Sequence, residues 1–301
     1  MGAALPVADK PRKKKMNLIK PESSYQSSII NCLLKTSIEA ALKAGKEILA
    51  IYEDPNADFQ VERKADNSPL TVADRRSNEV IMQMLGSTPY PILSEEGRNI
   101  GYEERRTWCT LWIVDPLDGT KEFIKRNGEF TVNIALVSNG VPVAGVIYVP
   151  VRHELYFADM EHGAYKMPGI ASLEGIRDLD MLRSRSLRLP YSERHPHYVV
   201  VASSSHATPE TTAYIDKLRR EHPDLELVSI GSSLKLCLVA EGKADIYPRF
   251  APTMEWDTAA GHAIVRAAGG EVYHTGEEAD LPLLYNKENL LNPWFVVRRH
   301  N

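Results

Sequence analysis

The stretch Trp112-Ile113-Val114-Asp115-Pro116-Leu117-Asp118-Gly119-Thr120 constrains this chain more than any other. Residues 111–114 form a short buried-strand run, and that strand delivers Asp115 at its C-terminal end. Pro116 then turns the chain, and Gly119 lets the backbone come close to a ligand while the N–H groups of the following segment face it. A turn of this kind can hold a metal ion and a phosphate together. Three further places set acids at the ends of elements rather than on exposed helix faces: Asp74, the pair Glu95-Glu96, and Asp257. Carboxylates collected in this way suit hard divalent cations, because Mg²⁺ prefers oxygen ligands and is commonly held by a few carboxylates together with substrate phosphate oxygens. Each acid also has a purely structural reading. Asp74 stands three residues after Thr71 and completes a capping box; Glu95-Glu96 reads as a solvated loop pair, and Asp257 as the N-cap of a helix. The two residues between Asp115 and Asp118 argue against a phosphatase that works through an aspartyl-phosphate, whose D-x-D-G-T turn has one.

Composition narrows the class. At 301 residues the chain has room for about two domains, and 43% apolar with 25% charged residues is the make-up of an ordinary globular protein. Lysine and arginine total 36 against 40 aspartates and glutamates, a formal charge of −4, so no global field draws nucleic acid and any anionic ligand is met locally. Cys32, Cys109 and Cys237 include no C-x-x-C pair, which excludes a disulfide framework and a cysteine zinc site and points to a reducing, cytoplasmic setting. No window approaches the roughly 18 consecutive apolar residues of a membrane span, so no integral membrane contact is expected. The N-terminus carries Lys10, Arg12, Lys13, Lys14, Lys15 and Lys20 with no apolar run behind them, which speaks against a secretory signal. Residues 1–24 are expected to be a solvated, disordered arm, with peripheral attraction to the inner face of the cytoplasmic membrane as the minor alternative. Met16 offers an alternative start that would leave out most of that arm.

From residue 28 to 52 the residues Ile30, Leu34, Ile38, Ala41, Gly45, Ile48 and Tyr52 recur at spacings of three and four, the mark of an amphipathic helix, and Asp54-Pro55 stops it. A loop through residues 64–69 leads to Thr71, the N-cap of a second helix running to about Leu85. The period then changes. Residues 130–137 alternate Phe130, Val132, Ile134 and Leu136 on one face, Asn139-Gly140 is a hairpin turn, and 141–149 is the partner strand. Strand-like pieces at 154–158 and 163–167 extend this into an antiparallel meander. Beyond about residue 170 strands and helices alternate: strand 197–203, helix 209–222, strand 225–230, helix 233–241, strand 244–249, helix 257–268 and strand 271–275. The expected organisation is an α+β half over 25–168 and an α/β half over 169–301, with the passage between them in the Pro-, Arg- and Ser-rich region 168–195.

Three blocks in this order, Leu93-Ser94-Glu95-Glu96, Asp115-Pro116-Leu117-Asp118-Gly119-Thr120 and Trp256-Asp257-Thr258-Ala259-Ala260-Gly261, resemble the inositol-monophosphatase superfamily of Mg²⁺-dependent, lithium-sensitive phosphomonoesterases. Residues 64–74, 121–135 and 229–242, with Tyr247-Pro248-Arg249-Phe250, look like its bacterial 3′(2′),5′-bisphosphate nucleotidase branch. The resemblance covers roughly residues 28–299 and leaves out the basic arm; the stretch 168–196 is longer and richer in arginine than the family pattern. It implies a layered α/β/α/β/α sandwich, in agreement with the two halves read from periodicity.

Carried over by position, Glu95, Asp115, the backbone carbonyl of Leu117, Asp118 and Asp257 match the ligands of two or three Mg²⁺ ions, with Asp115 bridging two of them. Asp74 and Thr120, with Glu95 beside them, match the group that orients and deprotonates the attacking water. Gly119 and Thr120 match backbone donors to the scissile phosphate, which Glu95, Leu117, Asp118 and Asp257 also border. In the nucleotidase branch, His206, Ser232, Lys235 and Arg249 match contacts to the nucleotide and its retained phosphate. The implied reaction is hydrolysis of a small nucleotide bisphosphate, adenosine 3′,5′-bisphosphate, to AMP and phosphate by water activated between two metals, with the sulfated analogue PAPS as a candidate second substrate. An inositol-1-phosphate or sugar-phosphate phosphatase on the same scaffold, and a catalytically silent nucleotide-binding module, are the alternatives.

Overall fold

The computed structural model describes residues 24–63, 69–192, 196–203, 208–276 and 279–300. The basic arm expected over 1–24 lies outside the described residues except for Ser24, as do residues 64–68 of the loop before Thr71 and His206.

Helix α1 (Ser24–Tyr52) buries Leu34, Ile38, Ala41 and Ile48 along one stripe, and Asp54-Pro55 follows its end. A two-stranded ribbon, β1 (Glu62–Arg63) and β2 (Pro69–Leu70), leads into α2 (Val72–Leu85), which Thr71 caps. Next come β3 (Ile92–Ser94), α3 (Tyr102–Arg105), β4 (Thr110–Asp118), α4 (Thr120–Ile124), β5 (Thr131–Ser138), β6 (Val141–Val149), β7 (Glu154–Asp159), β8 (Gly163–Met167), α5 (Leu179–Ser184) and β9 (Leu187–Arg188). The seven strands β3 to β9 form one sheet in sequence order, parallel only between β3 and β4. Asn139 and Gly140, at φ 50° and 76°, make the tight turn between β5 and β6. The division expected at 168/169 falls inside this sheet: α5 buries Leu179 and Leu182 beneath it, and β9 pairs with β8. The polar composition of 168–190 reads as a linker because only a few apolar side chains anchor it.

The strand read at 111–114 continues to Asp118. Asp115 pairs with Asn133 and Asp118 with Thr131, so three steps on β4 face two on β5, and Pro116-Leu117 form a bulge. Proline has no N–H to give to a ladder, so at this point it re-aims the strand instead of ending it.

The second sheet is built from β10 (Val199–Ala202), α6 (Pro209–Glu221), β11 (Glu226–Ser229), α7 (Leu234–Glu241), β12 (Ile246–Arg249), α8 (Glu255–Ala267), β13 (Gly270–His274) and β14 (Phe295–Arg299), in the order β11-β10-β12-β14-β13. Strand β10 is parallel to both neighbours, and β14 is antiparallel to β12 and β13. β14 was not expected from the sequence, and α8 begins two residues before Asp257.

Alternation sorts the cores into layers. Trp112, Val114, Ile134, Val146, Tyr148 and Phe157 face α1 and α2. On the opposite face Leu111, Ile113, Ala135, Ile147 and Tyr156 meet α7 and α8, whose other side packs on Val199, Val201, Tyr247, Val272 and Phe295 of the second sheet. Val200, Ala202, Ile246 and Val296 meet Ile215 and Leu218 of α6. The result is the α/β/α/β/α sandwich.

A charged knot ties α7 to the first sheet. Glu241, buried at the helix end, accepts from Tyr156 Oη (2.5 Å), Lys166 Nζ (2.9 Å) and Tyr191 Oη (2.8 Å), and pairs with Lys243. Burial alone would raise its carboxyl, but hydrogen bonds from Lys243, Tyr156 and Lys166 outweigh that and hold it below the usual range. A depressed carboxylate contributes stability above its ordinary pKa and loses it as pH falls through the lowered value. Glu241→Ala leaves Lys166 buried with only Glu154 as an ionic partner, and unfolding in urea at pH 7 is expected to show a loss of about 3 kcal/mol. The loss shrinks in acid.

Candidate active site

The bulge at Pro116-Leu117 is braced from α2, where Ser77 Oγ donates to the Pro116 carbonyl (2.6 Å). Asp115, only 2% exposed, accepts from the Leu117 N–H (3.1 Å) through Oδ1. Gly119 follows at φ 94° and ψ 42°, a left-handed conformation that starts α4 at Thr120. Glu95, just past β3, is held beside the end of β4 by its N–H to the Val114 carbonyl (3.1 Å).

Asp74 unites both readings of its position. Its Oδ2 accepts from the Thr71 N–H (2.8 Å) and Thr71 Oγ1 (2.6 Å), which completes the capping box, and its Oδ1 accepts from Thr120 Oγ1 (3.1 Å). Asp257 is the third residue of α8 rather than its N-cap; its Oδ2 accepts from the Met254 N–H (2.9 Å), and Met254 is the cap position.

One cleft of about 250 Å³ brings most of these residues together. Glu95, Asp118, Gly119, Thr120 and Asp257 line it together with Ser232, Lys235 and Arg249. Asp115 and Leu117 lie behind its wall, and Glu96 takes no part in the lining. Burial pushes the Asp115 carboxyl well above the usual carboxylate range, and Glu95, Asp118 and Asp257 push it further in the same direction. Asp257 is pushed up to about 8 by burial and then by Asp118 and Glu95. Among the described residues no three His, Cys, Asp or Glu side chains stand close enough together to hold a metal ion by themselves. The acids line an open cleft, which suits a cation that keeps waters and shares substrate oxygens.

The same cleft also holds two cations, Lys235 and Arg249. Lys235, 6% exposed, has its ammonium lowered to about 8 by burial, and Nζ donates to the Ile230 and Ser232 carbonyls. Ser232 stands at φ 46°. Its Oγ and the Nε of Arg249 are buried without a hydrogen-bond partner among the described residues. Buried polar atoms are rarely left this way, and the lack is met when a ligand supplies the missing oxygen.

Sequence reading missed two groups that tie these residues together. Ser233 Oγ lies 2.7 Å from Asp118 Oδ2 and 2.9 Å from the Asp257 carbonyl, able to donate to either, and it accepts from Asn133 Nδ2 (2.9 Å). Glu129 Oε2 accepts from the Gly231 N–H (2.7 Å). The one available signal was Asn133, an amide in the middle of an otherwise apolar strand.

Residues 30–294 match the inositol monophosphatase family, and the chain belongs to that family. It is 47% identical over 268 residues to the 3′(2′),5′-bisphosphate nucleotidase CysQ of Escherichia coli strain K12, covering 88% of this chain and 99% of that protein. Among solved structures, CysQ from Bacteroides thetaiotaomicron, described as a bacterial member of the same family, is 62% identical and superimposes with a TM-score of 0.83 over 89% of this chain and 97% of that one. The SuhB protein of Bartonella henselae, at 28% identity, superimposes with a TM-score of 0.67 over 89% of this chain and 94% of that one.

Proposed function

We propose that the protein is a Mg²⁺-dependent 3′(2′),5′-bisphosphate nucleotidase that removes the 3′-phosphate of adenosine 3′,5′-bisphosphate and leaves AMP. The observation that carries this reading is one cleft lined both by the acids around the Gly119-Thr120 turn and by the cations Lys235 and Arg249, with Ser232 Oγ and Arg249 Nε buried and unpartnered among the described residues. An inositol monophosphate has no second phosphate for those cations. A further cavity of about 250 Å³, lined by Thr211, Ile215, Leu227 and Pro248, meets the cleft at Ser203 and Arg249 and supports room for a nucleoside.

Glu95, Asp115, the Leu117 carbonyl, Asp118 and Asp257 would hold two or three Mg²⁺ ions; the fit rests on crowded carboxylates whose mutual repulsion a divalent cation relieves. Such ions, when bound, supply Lewis-acid polarisation of the phosphoryl oxygens and a water acidified toward neutrality. Thr120 Oγ1 and Asp74 Oδ1 orient the attacking water; Thr120 Oγ1 accepts a proton from it as its own hydroxyl proton passes to Asp74 Oδ1, a carboxylate whose other oxygen is fixed by Thr71. The N–H groups of Gly119 and Thr120 bind the phosphate being cleaved. Arg249 holds the retained phosphate as a planar fork and Lys235 as a point charge.

Phosphate release from a panel of adenosine bisphosphate, adenosine monophosphate and inositol 1-phosphate, with and without Mg²⁺, tests the reading. Arg249→Ala and Lys235→Ala are each expected to raise KM for the bisphosphate by about 10- to 100-fold, at 1.5–3 kcal/mol per charge-assisted contact, and to leave monophosphate hydrolysis nearly unchanged. Lys235 must be protonated to hold an anion, so KM for the bisphosphate rises as pH passes about 8, and Lys235→Ala loses that dependence. A preference for inositol 1-phosphate would overturn the substrate assignment.

A further inference from the structure

Two turns must stand at a set separation for one cleft to read two phosphates, and here they approach each other at Gly119 and Ser232, with Glu122 and Glu129 packed against them. A side chain on Gly119 would place its Cβ 3.1 Å from the Glu129 carbonyl oxygen and 3.3 Å from Ser232 Cβ; one on Gly231 would sit 2.8 Å from Glu122 Cγ and 3.1 Å from both the carbonyl oxygen and Cβ of Glu129. The backbone at Glu129 thus packs against both the Gly119 turn and the Gly231-Ser232 turn. The Glu129 side chain then bonds across, Oε2 accepting from the Gly231 N–H at 2.7 Å.

Glu129 is itself well held. Its N–H donates to Asn127 Oδ1 (2.9 Å), the Asn127 N–H donates to the Glu122 carbonyl (3.3 Å), and the next residue, Phe130, is fully buried between Tyr52 and Phe123. Gly231 leads directly into Ser232, whose positive φ turns its carbonyl to Lys235 Nζ. A carboxylate near a cleft that takes anions weakens their binding by like-charge repulsion. Its presence there calls for a task that an acceptor performs.

We infer that Glu129 is a positioning residue that sets the distance between the two phosphate sites, and so makes the enzyme selective for bisphosphates. The inference rests on the nucleotidase reading and adds to it the origin of that selectivity. Without the acceptor, the Gly231 N–H is left unpaired and the turn carrying Ser232 and Lys235 drifts from the Gly119 turn, and misplacement by about 1 Å is costly where two groups must be met together.

The test compares adenosine 3′,5′-bisphosphate with adenosine 3′-monophosphate in the full-length protein with Mg²⁺. Glu129→Ala is expected to raise KM for the bisphosphate about tenfold with kcat within about threefold, while kcat/KM for the monophosphate stays within about threefold. Glu129→Gln keeps an oxygen for the Gly231 N–H and is expected to match the wild type on both substrates. If the alanine variant fails to fold, Glu129→Asp, one methylene too short to reach Gly231, carries the same expectation. Equal losses on both substrates, or a glutamine variant as impaired as the alanine one, overturn the positioning role. A wild-type protein indifferent to the second phosphate overturns the nucleotidase reading and this inference with it, whereas a wild-type preference that persists in Glu129→Ala overturns this inference alone.

Discussion

Asp115→Asn is expected to lower turnover of the bisphosphate by at least about 10²-fold, some 2.7 kcal/mol of transition-state stabilisation, in a protein that melts no lower than its parent in metal-free buffer. Both halves of that outcome come from the same crowding. Asp115 is buried behind the cleft wall, with Glu95, Asp118 and Asp257 near enough to push its carboxyl up. In the absence of a cation those four acids oppose one another, so an amide of the same shape relieves the folded state of one charge. It still presents an oxygen to the Leu117 N–H, and the bulge is kept. What it cannot do is balance a divalent ion. If Mg²⁺ binds there, it is expected to raise the melting temperature of the parent by mass action, through binding to the folded state, and that rise is expected to shrink or disappear in the variant. Calorimetric scans with and without Mg²⁺, run beside phosphate-release assays, check the two halves separately. An active variant, or one that Mg²⁺ stabilises as strongly as the parent, would remove Asp115 from the metal site.

The features legible in the sequence are those written within a few residues. Asp54-Pro55 at the end of α1, Asn139-Gly140 between β5 and β6, and Thr71 before α2 each carry their own geometry and appear where periodicity puts them. Pro116 misled because proline marks a strand end and a bulge equally well, and only the pairing of Asp118 with Thr131 decides between them. β14 went unread although Asn292-Pro293 marks a turn before Phe295-Val296-Val297; the apolar run at the chain end is short, and its place between β12 and β13 is set by tertiary pairing. For the candidate site, the acids could be chosen by residue type. Ser233 and Glu129 could not, because each meets its partner about 100 residues away and nothing local distinguishes them from ordinary polar loop residues. Asp74 shows why competing readings of one residue need not exclude each other: a carboxylate has two oxygens, and here one caps a helix while the other faces Thr120.

That division of labour in Asp74 shapes the last expected result. Asn in its place can direct its carbonyl oxygen to the Thr71 N–H, so the cap and α2 survive, and its amide then occupies the position of Oδ1. An amide nitrogen there takes no proton from Thr120 Oγ1, and the path from water to carboxylate is cut. Asp74→Asn is expected to lower kcat by about 10²- to 10⁴-fold with KM within about threefold, since the groups that bind the two phosphates are untouched. Thr120→Ala removes the hydroxyl from the same path and is expected to match it, while Thr120→Ser, which keeps the hydroxyl, retains most activity. Because the two residues act as one unit, the double variant should lose little more than either single one. Steady-state kinetics on the four proteins decide the matter. Additive losses would mean that Asp74 and Thr120 act separately, and a rise in KM at constant kcat would move both from the water to the substrate.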